Sequence, residues 1–168
     1  HTVMQHLPFD RRWKVSELQE FVSKLQIQEI LTEQEADVID LSSIEQFFET
    51  EIAQRLIDSP FIKKEIPFSI TLPAKEVYPN WKDDEEERIF LQGVIDCVMK
   101  TERGWVLIDY KTDQINDNMI TDQTKAKLLD RYRIQINLYA QALEEIWKEP
   151  VTEKYLYFFD KDLLIEGS

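Results

Sequence analysis

The stretch GVIDCVMKTERGWVLIDYK, residues 93–111, decides the fold. It consists of two β-rich, largely apolar segments on either side of the short polar segment 101–104, whose glycine suits a tight turn. This pattern predicts two antiparallel strands joined by a hairpin. If the hairpin turns tightly, its register places Asp96 directly opposite Asp109.

Side chains two apart on a strand share a face, so Asp109 and Lys111 are expected to project the same way. Opposed cross-strand Cβ atoms lie about 4.5–5.5 Å apart, and two carboxylates at that distance repel each other unless a cation lies between them. Hard oxygen ligands suit magnesium or manganese. The lysine ammonium can stabilise an attacking hydroxide or a phosphate oxyanion.

The plainer interpretation of an Asp-x-Lys sequence is a surface ion pair on a strand. The apolar neighbours of both acids, together with the second acid at Asp96, favour a catalytic site instead. We therefore predict Asp96, Asp109 and Lys111 as catalytic residues, with a metal held by the two carboxylates.

The remaining elements are expected in the order helices, three strands, helix, strand. Residues 1–59 are predicted to be mainly helical and 60–168 to form the core, all within a single domain. Capping boxes at Ser16/Gln19 and Thr32/Glu35 predict the starts of two helices. Further helices are predicted from Ser42 or Ser43 to Pro60 and over 121–147, the latter with a break near Asp130. Beyond the hairpin, strands are predicted at 66–72, where Pro67 suggests an edge, and at 154–160, while 77–88 reads as an acidic loop.

Composition limits what the chain does by itself. The formal net charge of −13 argues against a general nucleic-acid binder, so a DNA substrate would need help from other parts. No phosphate-binding loop of the Gly-x-x-x-x-Gly-Lys-Ser/Thr type is present, which places any ATP dependence outside this chain.

Because the chain begins with His1 rather than Met, we expect a fragment of a larger protein. We also expect a soluble, cytoplasmic protein without a membrane segment.

Three motifs together resemble a known family: Gly93-Val94-Ile95-Asp96, then Ile108-Asp109-Tyr110-Lys111-Thr112-Asp113, then Gln135-Ile136-Asn137-Leu138-Tyr139. They are similar to the RecB-type branch of the PD-(D/E)XK nuclease superfamily, and within it to the nuclease domains of AddA-type helicase–nucleases. The resemblance spans nearly the whole chain. It implies an α/β, restriction-endonuclease-like αβββαβ core preceded by an additional helical region.

The resemblance also implies further site residues. His1 matches the end of a Gly-x-x-x-His motif that supplies a metal ligand, and Tyr110 belongs to the same metal site. Gln135 and Tyr139 match a Gln-x-x-x-Tyr motif that contacts DNA near the active site, and they lie four apart on one helical face. Glu65 matches an acidic position with a supporting role.

The implied activity is magnesium-dependent exonuclease cleavage of DNA, with manganese as a substitute, during resection of double-strand breaks for recombinational repair. The implied partners are a single-stranded DNA end fed by an ATP-driven helicase region and a second, AddB-like subunit, in the bacterial nucleoid. AddB-like and CRISPR-associated relatives carry a four-cysteine iron–sulfur cluster. Cys97 alone cannot ligate one, which favours the AddA-type resemblance and predicts no cluster.

Two other functions fit the fold. One is a nuclease-like module without catalysis that serves as a scaffold, against which the complete set of Asp96, Asp109 and Lys111 argues. The other is a stand-alone phage-type exonuclease or restriction-like endonuclease. Such an enzyme needs its own positive DNA track, and the acidic balance disfavours it.

Overall fold

The computed structural model describes residues 1–78, 87–116 and 119–167. Within these ranges the helices are α1 (Thr2–His6), α2 (Val15–Ile27), α3 (Glu33–Asp37), α4 (Leu41–Phe48), α5 (Glu51–Asp58), α6 (Ala74–Val77) and α7 (Asp122–Trp147). The strands are β1 (Ile62–Pro73), β2 (Arg88–Lys100), β3 (Trp105–Lys111), β4 (Val151–Phe158) and β5 (Leu163–Glu166). A short 3₁₀ turn, Phe159–Lys161, follows β4.

The described residues divide into two compact units. The helical unit comprises His1–Pro60, Tyr110–Ile115 and Phe158–Leu163, and the sheet unit comprises Phe61–Asp109, Asn116–Tyr157 and Leu164–Ser168. Strand β3 belongs to both, since the division falls between Asp109 and Tyr110. No helix within the described ranges is long and apolar enough to cross a membrane.

The helical unit is built around Phe47, which is fully buried. Its ring packs against Phe9, Phe48, Tyr110 and Phe159 at centroid distances of 5.2–6.2 Å. Aromatic clusters of this kind bury large apolar areas, so they account for much of the core of a small helical unit.

The helix starts are set by side-chain caps, and some differ from the prediction. The Thr32/Glu35 capping box is confirmed, with Glu35 N donating to Thr32 Oγ1 at 3.1 Å. The predicted box at Ser16 is wrong, because the N-cap of α2 is Lys14, two residues earlier, and its main-chain N donates to Glu17.

The helix predicted from Ser42 or Ser43 to Pro60 is two helices. Asp40 rather than a serine caps α4, accepting a hydrogen bond from Ser43 N at 3.2 Å. Thr50 caps α5, accepting from Ala53 N, and thereby ends the continuous helix. A hydroxyl at this position offers the backbone an alternative partner, which explains the break.

The sheet has the order β1-β2-β3-β4-β5. Strand β1 runs antiparallel to β2 and lies at the edge, which confirms the edge position predicted from Pro67. Strands β2 and β3 are antiparallel with pairs from Cys97↔Ile108 to Lys100↔Trp105, the register predicted for the hairpin. The order α5, β1, β2, β3, α7, β4 confirms the αβββαβ core preceded by helices.

The β2–β3 turn depends on Gly104. Thr101 N donates to Gly104 O at 2.8 Å, and Gly104 has a φ of 148°. A Cβ atom there would lie 2.6 Å from Pro150 O and 2.8 Å from Thr152 Cγ2. Both the backbone conformation and the space require glycine.

Three other predictions need correction or completion. Helix α7 is continuous, so the break predicted near Asp130 is wrong; Asp130 instead pairs with Arg133 one turn on, at 2.9 Å. The strand predicted at 154–160 is β4, and β5 follows it unpredicted. Of the predicted loop 77–88, residues 79–86 lie outside the described residues.

Candidate active site

Asp96 on β2 and Asp109 on β3 lie in the sheet unit. The observed pairing ends at Cys97↔Ile108, and the next pair in this register is Asp96 and Asp109. Both aspartates are buried, with 9% and 4% of their surface exposed. Two carboxylates are thus held at equivalent positions of neighbouring strands, within an otherwise apolar part of the sheet.

Tyr139 on α7 is influenced by both carboxylates. Burial raises the pKa of the Tyr139 phenol above its usual value of 10.0, and the negative charges of Asp109 and Asp96 raise it further. The hydrogen bond from Gln135 acts in the opposite direction. The phenol therefore lies within electrostatic reach of both acids and remains protonated at neutral pH.

The two α7 residues predicted on one helical face are in direct contact. Gln135 Nε2 donates to Tyr139 Oη at 3.2 Å. The hydroxyl of Tyr139 thus accepts from Gln135 and keeps its own proton for another acceptor.

Phe68 on β1 is a further residue of this group, to which the sequence analysis assigned no role. Its ring meets that of Tyr139 edge to face, with centroids 5.3 Å apart and an interplanar angle of 72°. The alternation of apolar residues in β1 predicts a covered position for Phe68 but does not name the partner.

Lys111 is the last residue of β3 and is partly exposed. Asp109 and Lys111 fall on either side of the division between the two units, so the common face predicted for their side chains stays a prediction.

His1 and Tyr110 lie in the helical unit. His1 Nε2 and the Tyr110 carbonyl oxygen are 3.1 Å apart. A carbonyl only accepts, so Nε2 carries the proton and donates it. The Tyr110 ring is buried and packs against Phe47 and Phe159, which fixes the main chain at this position.

Glu65 lies on β1 between the pairs Lys64↔Cys97 and Ile66↔Ile95, at the position whose register partner is Asp96. Its φ is 50°, a left-handed conformation that is unfavourable for a residue with a side chain. Backbone strain of this kind costs on the order of 1–3 kcal/mol and concentrates at functional sites. The structure therefore gives Glu65 an unusual backbone beside the carboxylate pair.

The profile of the PD-(D/E)XK nuclease superfamily matches residues 1–166. The chain belongs to this superfamily. Its members are nucleases that generally use divalent metal ions, and the order of helices and strands in this chain agrees with their αβββαβ core.

Relatives within the superfamily are similar over nearly the whole chain. An ATP-dependent helicase/nuclease subunit from Oceanobacillus iheyensis is 49% identical over 166 residues, which covers 99% of this chain and 13% of that protein. The proteins of the same name from Bacillus cytotoxicus and Bacillus mycoides are 41% and 40% identical, covering 98% and 95% of this chain. The chain spans only about an eighth of the length of these relatives.

The donor set fits a hard divalent cation. Within the described ranges, no group of three or more His, Cys, Asp or Glu side chains has a spacing that would hold a metal ion. Magnesium commonly binds to only one or two carboxylates and keeps several waters, so a pair of buried aspartates suits it. His1 and Tyr110 stay predictions as further members of the metal site.

Proposed function

We propose that the chain is the magnesium-dependent deoxyribonuclease module of a bacterial helicase–nuclease. The observation that carries the proposal is that Asp96 and Asp109 are both buried at the position that continues the observed β2–β3 register, within electrostatic reach of Tyr139. Buried like charges are costly unless a cation neutralises them. Manganese has the same preference for oxygen ligands and can substitute.

Asp96 and Asp109 would hold a divalent cation, which would supply positive charge beside a phosphate and lower the pKa of a water. Lys111 places an ammonium on the same face of β3, where it stabilises negative charge on the attacking hydroxide or the phosphate. We propose His1 and Tyr110 as additional contributors to the metal site. Glu65 has a supporting role on β1.

The DNA contact proposed for α7 uses Tyr139 and Gln135. The phenol keeps its proton at neutral pH and can donate it to a phosphate oxygen, while Gln135 orients the hydroxyl. Such contacts position a strand without reading its sequence. This is the chemistry expected of a nuclease that degrades DNA of any sequence.

The wider context follows from the relatives' name and from the charge of the chain. With a net charge of −13, the chain attracts phosphates weakly, so we propose that a helicase region elsewhere in the protein, driven by ATP, delivers a single-stranded end. We further propose an AddB-like second subunit, degradation of the 3′-terminated strand during recombinational repair, and a cytoplasmic location at the nucleoid.

The test is cleavage of linear and circular single-stranded DNA with magnesium, with and without EDTA, by the wild type and Asp96→Asn. We expect metal-dependent loss of linear DNA only, and no cleavage by the variant. Cleavage of circles would indicate an endonuclease, and no cleavage by the wild type would indicate a scaffold. Strand choice is measured separately, with ATP and with the chain as part of the full helicase–nuclease, on duplexes labelled at either the 3′ or the 5′ end.

DNA affinity provides a second check. We expect the chain alone to bind oligonucleotides weakly at physiological salt, because its net negative charge opposes the displacement of DNA counterions by lysine and arginine side chains. Tight binding in a fluorescence anisotropy titration would contradict delivery by a partner and would favour a stand-alone exonuclease.

A further inference from the structure

The ring of Phe68 contacts strand β2 and helix α7 in the sheet unit. It meets Tyr139 edge to face at 5.3 Å. It also lies against Gly93, its register partner on β2. Phe68 is 8% exposed, so the surrounding protein restricts the ring.

Gly93 leaves room for this ring. A Cβ atom at Gly93 would lie 3.0 Å from Phe68 Cε1, 3.1 Å from Phe68 Cζ and 3.6 Å from Tyr139 Cε1. The first two distances are shorter than ordinary van der Waals contact, so the ring would have to move. Any side chain at position 93 would therefore push the Phe68 ring away from that position.

We infer that Phe68 is the positioning residue that sets where the Tyr139 hydroxyl points, and that Gly93 is small because the Phe68 ring fills the space beside it. The part of this inference that concerns DNA cleavage rests on the proposed function. Phe68 acts through Tyr139 and touches no reacting atom.

The physical argument is that two contacts act at different places on the long Tyr139 side chain. Gln135, one helical turn earlier, holds the hydroxyl end through a single 3.2 Å hydrogen bond. The edge-to-face contact with Phe68 restricts the ring itself, and aromatic pairs prefer this geometry. A displacement of about 1 Å at a positioned group can lower a reaction rate by up to roughly 10²-fold.

The activity-independent test uses nuclear magnetic resonance of the full chain. The side-chain amide signal of Gln135 reports its hydrogen bond to Tyr139, and Tyr139→Phe gives the signal without that bond. We expect Phe68→Leu to shift the signal toward the Tyr139→Phe position. Leu72→Ala, which opens a cavity at a similarly buried position of the same strand, should leave it unchanged. A wild-type signal in Phe68→Leu would overturn the inference.

A stability cycle tests the role of Gly93. Gly93→Ala should lower Tm by on the order of 5 °C, because overpacking strains the core. In the Phe68→Leu background the loss should be clearly smaller, because leucine lacks the distal ring atoms that the new methyl group meets. Equal losses in both backgrounds would refute the packing part.

The kinetic test separates positioning from simple loss of stability. We expect Phe68→Leu to lower kcat about tenfold with little change in KM, and to lower it less than about twofold when Tyr139 is already Phe. Phe68→Tyr should restore most of the rate, and Leu72→Ala should retain it. Equal kcat losses in both backgrounds would overturn positioning through Tyr139. If the wild type does not cleave DNA, the proposed function fails, and the amide signal and the stability cycle still decide the inference.

Discussion

Replacing Asp109 with Asn removes one of the two buried carboxylates of β2 and β3 and keeps the volume of the side chain. Two unit charges about 5 Å apart repel by about 3 kcal/mol at an effective dielectric constant of about 20. Asp109 is 4% exposed, so water screens this repulsion little. Without metal, the free energy of unfolding of Asp109→Asn should therefore equal that of the wild type or exceed it, by no more than this amount.

Magnesium should stabilise the wild type more than the variant. At 100 times its dissociation constant a ligand stabilises the folded state by about 2.7 kcal/mol, which corresponds to a rise in Tm of roughly 5–11 °C for a chain of this size. Asp109→Asn should show a much smaller rise and no DNA cleavage, because one of the two shared carboxylates is lost. Asp109→Ala should behave in the same way.

The assay is thermal unfolding with EDTA and with saturating magnesium, alongside cleavage of a linear oligonucleotide. Asp130→Asn is the matched control, because it removes an exposed carboxylate of the same unit and should keep the full magnesium response. If Asp109 served mainly to pair with Lys111, its loss would destabilise the apo protein by about 3 kcal/mol or more. Marked apo destabilisation with retained cleavage would refute the metal-site argument.

Three further predictions concern single positions. Lys111→Ala should keep the magnesium-induced rise in Tm but lose most cleavage, and Lys111→Arg should restore it only in part, because a broad guanidinium replaces a compact ammonium; normal cleavage by the alanine variant would exclude Lys111 from the mechanism. Gly104→Ala should cost about 2 kcal/mol or more of unfolding free energy in denaturant titrations, because of its positive φ and the close Pro150 oxygen. The pKa of Tyr139 is higher in the folded than in the unfolded protein, so its contribution to stability is complete below pH 10 and is lost as the pH rises through the folded pKa. Ultraviolet difference titration of wild type against Tyr139→Phe should show a phenol that ionises above the usual pKa of tyrosine, and ionisation at the usual pKa would contradict the prediction.

The sequence by itself determined the β2–β3 hairpin and its register, in which Asp96 and Asp109 take the next position beyond the observed pairs. These features are local: alternation fixes the face of each side chain, and a short turn fixes which residues oppose each other. The relation between Asp109 and Lys111, and that between Gln135 and Tyr139, follow from the periods of a strand and a helix. The order of elements in the core followed from the same patterns.

Only the tertiary structure decided which distant residues meet and where helices stop. The contact between His1 and the Tyr110 carbonyl joins residues 109 positions apart, and the Phe68 ring is held by residues on two other elements. Thr50 divides a stretch whose apolar spacing is that of one helix, because its hydroxyl can cap a new one. Helix α7 passes Asp130 unbroken, because burial of one face along its length outweighs a local preference. Local sequence patterns specify the faces of strands and helices and the positions of turns. Long-range contacts and helix ends depend instead on which distant side chains pack together.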